Sequence, residues 1–234
     1  MEKLFDEICK KIEIANTEIN NAAGYRFLLG PKSTFSKTTP ILLLDYHPNL
    51  ALEGEELIKP TSEKGTAYYT ETWDKKYKNK LSDLQTQIKY FMEQLCIKLN
   101  SPHKPEYFID NYILSSYFIH FRLDSNNDKH INTLINKSNK IWEAIFLKYT
   151  PQYIIILGKN TYIATSNILK NIGYIEYEKD SFSAHYQNSQ IHIYNYKKDK
   201  NIIHVGVLPH LSHFKLFSHT ESIQIGRASC RERV

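Results

Sequence analysis

The chain has 234 residues, of which 41% are hydrophobic and 13% aromatic, and it carries a formal net charge of +5. This length is enough for one domain with a single core. The mild basic excess suits contact with phosphate groups without requiring it, because lysine-rich solvated helices give the same total. Residues 1–15 alternate charged with apolar side chains, so we expect neither a signal peptide nor a membrane span there.

The closing segment, residues 224–234 (QIGRASCRERV), resembles a translated sequencing adapter. We expect it to be an artefact that replaces the natural C-terminus, and we expect residues 1–223 to form one domain. Its three arginines and one glutamate account for two charges, so the net charge of residues 1–223 is +3. Without Cys230 there remain Cys9 and Cys96, whose spacing is typical of neither a disulfide framework nor a metal site. We therefore expect a cytoplasmic protein without a metal or other cofactor.

In chain order, apolar residues at three- and four-residue intervals first predict an amphipathic helix over residues 2–22. Unbroken apolar runs then predict four buried strands, at residues 41–46, 111–121, 151–158 and 201–209. Helical periodicity separates these strands, at residues 84–95, 132–149 and 160–171. Residues 175–178 and 190–196 could pair as a hairpin. The alternation predicts a three-layer α/β/α sandwich around a mostly parallel, four-stranded sheet.

The carboxyl ends of the predicted strands are where an open sheet of this kind binds its ligand. They present a set of polar and aromatic side chains: Asp45, Tyr46, His47, Pro48, Asn49, Tyr117, Phe118, Arg122, His210, Ser212 and His213.

Five segments, in the same order along the chain, resemble the uracil-DNA glycosylase superfamily, especially its small bacterial members. The first segment, residues 24–49, ends in DYHPN, where the family has Gly, any residue, Asn, Pro, Gly. The others are AYYTETW at residues 67–73, NYILSSYFIHFR at 111–122, PQYIIILGKNTYIA at 151–164 and VLPHLSHFKLF at 207–217. The resemblance covers residues 24–218 and implies the fold of that superfamily.

The resemblance also implies roles for individual residues. His47 stands where the family orients a water molecule, and His210 matches the histidine that donates to the departing base. Base contacts fall to residues of three segments: Tyr46, Pro48, Asn49, Tyr68, Tyr117 and Phe118. Phosphate contacts fall to Arg122, Ser212 and Lys215. The implied partner is DNA, single-stranded or carrying a modified base, bound by a monomer.

Each assignment has a structural alternative. His47 could hydrogen-bond Asp45 or a turn, and His210 could cap a loop. Tyr117 could be a core aromatic, and Tyr68 could belong to a loop that Trp73 anchors. Arg122 and Lys215 could be solvated charges. Histidines without cysteine partners or an HExxH spacing do not indicate zinc.

Two functions therefore stay open. The first is a glycosylase that hydrolyses the N-glycosidic bond of a flipped uracil or modified base. The second is a catalytically degenerate module that senses a base or nucleic acid, a hypothesis motivated by Asp45, Asn49, Tyr117 and Leu211, which depart from the family's residues. Loss of the natural C-terminus could also leave this chain inactive. Repair and phage defence are both open as pathways.

Overall fold

The computed structural model of this chain describes residues 1–51, 55–73, 81–123, 131–184 and 189–218. The adapter-like segment at 224–234 lies outside these described residues. The described segments form an α/β structure with eight strands and six α-helices, which confirms the predicted α/β class.

The described strands form two sheets. Their bounds are β1 (Tyr25–Arg26), β2 (Ile41–Asp45), β3 (Ile58–Lys59), β4 (Ile113–Tyr117), β5 (Tyr153–Leu157), β6 (Ile175–Ser183), β7 (Gln190–Lys198) and β8 (Asn201–Leu208). The large sheet has the order β4-β2-β5-β8-β7-β6, and β1 pairs with β3 in a small parallel sheet. Strands β4, β2, β5 and β8 run parallel to one another, and β7 pairs antiparallel with both β8 and β6.

The predicted four-stranded sheet is therefore wrong in strand number, because the large sheet has six strands. The suggested hairpin forms, as β6 and β7, but it does not stand apart from the sheet. Lys198 pairs with Asn201 across a two-residue turn, and Asp199 takes the positive φ of 53° that such a turn requires. This turn joins β7 to the edge of the parallel sheet through β8.

Six helices cover the sheet: α1 (Glu2–Glu18), α2 (Ala67–Thr70), α3 (Asp83–Lys98), α4 (Pro105–Tyr112), α5 (Ile131–Phe146) and α6 (Lys159–Asn171). The helix predicted at 2–22 ends four residues early, because Asn20 adopts a left-handed φ of 50°. Residues 111–112 belong to α4 and not to the predicted strand. Pro105 starts α4 at a position where its missing N–H costs nothing.

Side-chain alternation divides the four parallel strands between two hydrophobic clusters, one on each face of the sheet. Leu42 and Leu44 face a cluster shared with α1, α5 and α6. Ile41 and Leu43 face a cluster shared with α2, α3 and α4. Helices thus pack on both faces. Among the described residues, no helix is long and apolar enough to cross a membrane.

Candidate functional site

A cavity of about 630 Å³ opens at the carboxyl ends of the parallel strands. Its wall includes the last residues of three strands, Asp45 of β2, Tyr117 of β4 and Leu157 of β5, and His210 from the segment after β8. A volume of this size is typical of a small-molecule site and exceeds that of a bare base. His47, predicted from the sequence, lines the same cavity.

His210 is held between two side chains within this cavity. Its Nε2 lies 3.0 Å from Oδ1 of Asp45, and its Nδ1 lies 2.7 Å from Oγ of Ser212. The backbone N–H of Ser212 also points to Nδ1, at 3.4 Å. A carboxylate only accepts hydrogen bonds, so Nε2 carries the proton that faces Asp45. In the neutral ring, Nδ1 is then the acceptor for Ser212.

The position of His210 follows from its neighbour along the chain. Leu211 is fully buried in the cluster formed with α2, α3 and α4, and it anchors the segment. The two flanking side chains, His210 and Ser212, both line the cavity. Leu211 stands where the resemblance predicts a proline, and its buried side chain holds the segment in place.

Asp45 controls the charge on His210. Asp45 is only 3% exposed, and its hydrogen bond raises the pKa of His210 above the ordinary value, although burial opposes the shift. The protonated imidazole is therefore more populated near neutral pH than in a free histidine.

Within the described residues, the ring of His47 is hydrogen-bonded to the adjoining backbone and not to Asp45. Its Nδ1 lies 3.1 Å from the carbonyl oxygen of Pro48, and a carbonyl can only accept. Nδ1 therefore carries the proton, which leaves Nε2 of the neutral ring as an acceptor. The ring also contacts Tyr46 edge-on, with centroids 5.2 Å apart.

Tyr117 is 5% exposed and lines the cavity, although it also packs in the core below. It pairs in register with Asp45 on the neighbouring strand, which brings both side chains to the same face. Burial raises the pKa of its phenol far above the ordinary value, so the hydroxyl stays protonated and can donate.

Two predicted base contacts lie elsewhere. Phe118 is fully buried in the cluster on the opposite face, because it follows Tyr117 and strand alternation turns it away. Tyr68 is fully buried and has no ring face free for stacking. Its ring contacts Trp73 at 5.2 Å, and Trp73 lines the cavity. Trp73 thus takes the place in the cavity wall that was predicted for Tyr68, and Tyr68 packs behind it.

Arg122, a predicted phosphate contact, is 2% exposed and fully engaged. Its guanidinium donates to Glu55 at 2.6 Å and to the carbonyl of Asn49 at 2.8 Å. It therefore holds the segment after β2 in place instead of facing solvent. Asn49 itself lines the cavity.

The remaining predicted contacts lie near the cavity. Tyr46 and Ser212 line it. Pro48 lines a smaller adjoining pocket that shares Asn49, Trp73 and Tyr117 with it. Lys215 is exposed and pairs with Asp83 at 3.4 Å, and Asp83 belongs to the wall.

A buried ion-pair network supports the cavity wall from behind. Arg26 forms two 2.6 Å hydrogen bonds with Glu71, which also binds Lys59 and Ser62. Burial alone would raise the pKa of Glu71, but these hydrogen bonds outweigh it and lower the pKa strongly. The indole N–H of Trp73 lies 3.4 Å from Glu71, so the network orients the aromatic wall.

The N-terminus of α6 forms another part of the wall, through Gly158, Lys159, Asn160 and Thr161. Gly158 has φ +95° and provides no side-chain cap. Its nearest contact is the ring of His210, 3.7 Å from where a Cβ would stand. The first backbone N–H groups of a helix and the lysine give this side a positive potential.

Sequence reasoning placed Asp45 at a strand end without a role in the site, named Trp73 only as a loop anchor, and missed Lys159. A carboxylate at the end of a fully apolar strand was the available signal for Asp45. In the described part of the chain, no cluster of three or more His, Cys, Asp or Glu residues is arranged to hold a metal ion.

No protein-family model matches this chain. No curated protein matches it either.

Proposed function

We propose that this chain is a uracil-DNA-glycosylase-like protein that hydrolyses the N-glycosidic bond of a nucleobase bound in the cavity. One observation carries the proposal. His47, Tyr117 and His210, which are far apart in sequence, line the same cavity at the carboxyl ends of the sheet. These are positions to which the resemblance assigns water activation, base recognition and proton donation.

The chemistry requires a proton acceptor near the sugar and a proton donor near the base. In the proposed reaction, Nε2 of His47 accepts a proton from the attacking water, because Nδ1 is engaged by Pro48. Protonated His210, stabilised by Asp45, supplies the proton that neutralises the departing base. Tyr117 donates one hydrogen bond to the polar edge of the base.

The proposed substrate is a flipped nucleotide in DNA. Base flipping would bring the sugar and its phosphate into the cavity together with the base, which fits a volume of about 630 Å³. The wall at Lys159 and the start of α6 favours an anion. Trp73 offers an aromatic surface for stacking.

The test is base release from single-stranded and duplex DNA that contains uracil, hypoxanthine or a hypermodified base. We expect abasic sites, detected by alkaline strand cleavage, with the wild-type protein. The His210→Ala and His47→Ala variants should lose about 100-fold or more of this activity. His103→Ala is the matched control, because His103 does not line the cavity. Failure of the folded wild-type protein to release any of these bases would refute the proposal.

The second candidate is a module that binds a base without cleaving it. It is favoured by the occupied ring nitrogens of His210 and by the side chains of Asp45 and Asn49, which stand where the family has glycines. Trp73 lines the cavity, whereas Trp142 is fully buried. Oligonucleotide binding should therefore quench the fluorescence of Trp73, and a Trp73→Phe variant should lose this quenching. Saturable quenching without base release would select this candidate.

A further inference from the structure

The arrangement around His210 leaves a question that the proposed function does not answer: which atom delivers the proton. Both ring nitrogens are engaged, Nε2 with Asp45 at 3.0 Å and Nδ1 with Ser212 at 2.7 Å. In the neutral ring Nδ1 accepts hydrogen bonds from the hydroxyl and the backbone N–H of Ser212. In the protonated ring Nδ1–H donates to the Ser212 hydroxyl, so neither ring N–H points at a ligand. The hydroxyl of Ser212, in contrast, can accept one hydrogen bond while it donates another, and Ser212 lines the cavity.

We propose that Asp45, His210 and Ser212 form a proton relay in which Asp45 positions the imidazole and the hydroxyl of Ser212 delivers the proton to the ligand. The inference rests on the proposed function for the identity of the reaction. The hydrogen-bonded chain itself rests only on the three side chains and their distances.

The relay is balanced in protons and electrons. The bond between the sugar carbon and the base nitrogen breaks, and its electron pair stays on the base. The base takes the hydroxyl proton of Ser212, and Ser212 takes the Nδ1 proton of His210 in the same step. Water adds to the sugar carbon and gives its proton to His47. His210 ends neutral, with Nε2–H still facing Asp45, and both histidines then exchange protons with solvent.

Asp45 suits a positioning role because it is fixed on the scaffold. It is the last residue of β2 and 3% exposed, and its Oδ1 also accepts the backbone N–H of Tyr46 at 2.7 Å. A rigid carboxylate selects one ring orientation and one tautomer of the histidine it contacts. Asp45 therefore orients the ring so that Nδ1 faces Ser212.

Other ionisable groups surround His210. The ring of His213 lies 5.8 Å away from that of His210. The cavity wall contributes His47, Asp83, Tyr117 and Lys159. Among the ionisable groups of the described residues, only Asp45 is hydrogen-bonded to the ring. Removing the charge of Asp45 should therefore change the pKa of His210 more than removing the charge of any other group around it.

The first measurement is NMR titration of the His210 ring in the full chain, which does not depend on any substrate. We expect Asp45→Asn to lower the pKa of His210. Ser212→Ala should leave the pKa raised but should shift the Nδ1 resonance, because that nitrogen loses its partner. An unchanged pKa in Asp45→Asn, or an unchanged Nδ1 resonance in Ser212→Ala, would overturn the relay.

The second measurement is base release as a function of pH. Ser212→Ala should lower kcat at least 10-fold while His210 still titrates as in the wild type, and Ser212→Thr should restore most of kcat. Asp45→Asn should move the alkaline limb of the profile to lower pH. Full activity in Ser212→Ala would show that His210 donates directly and would refute the relay. If the wild type releases no base, the proposed function fails, and the titration still decides whether the hydrogen-bonded chain exists.

Discussion

Asp45 and His210 are 165 positions apart in sequence, yet Oδ1 of Asp45 lies 3.0 Å from Nε2 of His210. The contact joins the end of β2 to the segment after β8, two strands that are separated in the sheet by β5. It links the charge at the end of β2 to the protonation of His210 in the segment after β8.

This contact predicts a pH-dependent stability. The pKa of His210 is raised in the folded state, so its stabilisation is fully present below the unfolded pKa of about 6.5 and is lost as the pH rises through the folded value. Asp45→Asn should therefore reduce the free energy of unfolding by about 1 kcal/mol at pH 6 and by less at pH 9. Urea unfolding at both values measures the difference. An equal loss at the two values would contradict the prediction.

His120 predicts an opposite dependence. It is fully buried between the rings of Phe27 and Trp142, and burial lowers its pKa to about 3. The unfolded chain takes up a proton as the pH falls below about 6.5, whereas the folded chain does not until about pH 3. Up to about 5 kcal/mol of stability should be lost across this window.

The substitution His120→Phe should flatten this acid limb, because a phenyl ring fills the same aromatic contacts and does not titrate. Unfolding followed by circular dichroism between pH 4 and pH 7 measures the slope. His213→Phe is the control, because His213 is exposed. If both variants keep the wild-type slope, His120 is not its source.

Neutralising Glu71 should cause a large loss of stability. Glu71 holds the guanidinium of Arg26, whose side chain is 3% exposed, so Glu71→Gln removes the closer carboxylate and leaves this buried charge paired only with Glu55, 3.7 Å away, among the described residues. We expect a loss of about 3 kcal/mol at pH 7. The pKa of Glu71 is lowered in the fold, so its stabilisation is present above the ordinary carboxyl pKa and decreases as the pH falls below it.

The matched control is Glu2→Gln, since Glu2 is 83% exposed and pairs with Lys32 on the surface. Its expected effect is below about 0.5 kcal/mol. A similar effect of both substitutions on thermal unfolding would exclude a special role for the buried network.

Gly158 predicts a backbone effect at the cavity. Its φ of +95° is one that side chains rarely adopt, so Gly158→Ala should destabilise the fold by about 1–3 kcal/mol. Gly206→Ala in β8 is the comparison, because nothing lies within 4 Å of the added Cβ and its φ is not positive. That variant should be neutral or slightly more stable. Chemical denaturation of the two variants tests the contrast.

Tyr68 and Trp73 predict a separation of stability from binding. The hydroxyl of Tyr68 is buried without a hydrogen-bond partner among the described residues, so Tyr68→Phe should raise stability by about 0.5–1 kcal/mol. Trp73→Ala should weaken oligonucleotide binding by about 10-fold or more through loss of stacking. Fluorescence anisotropy measures the binding of both variants. Weaker oligonucleotide binding by Tyr68→Phe than by Trp73→Ala would contradict this assignment.

The sequence determined the α/β class, the four parallel strands and most helix positions, because apolar periodicity and strand length are local properties. It also indicated that His47, Tyr117 and His210 belong to one edge of the sheet, since parallel strands place their carboxyl ends together. The sequence did not indicate that β6 and β7 extend the large sheet, because that pairing depends on the tight turn at Asp199.

Only the tertiary structure decided which of the predicted site residues face the cavity. Strand alternation turns Phe118 to the opposite face, and burial encloses Tyr68 and Arg122. The partnership of Asp45 with His210 depends on the order β2-β5-β8 in the sheet. Strand order is set by the packing of distant segments, and no local pattern in the sequence encodes it.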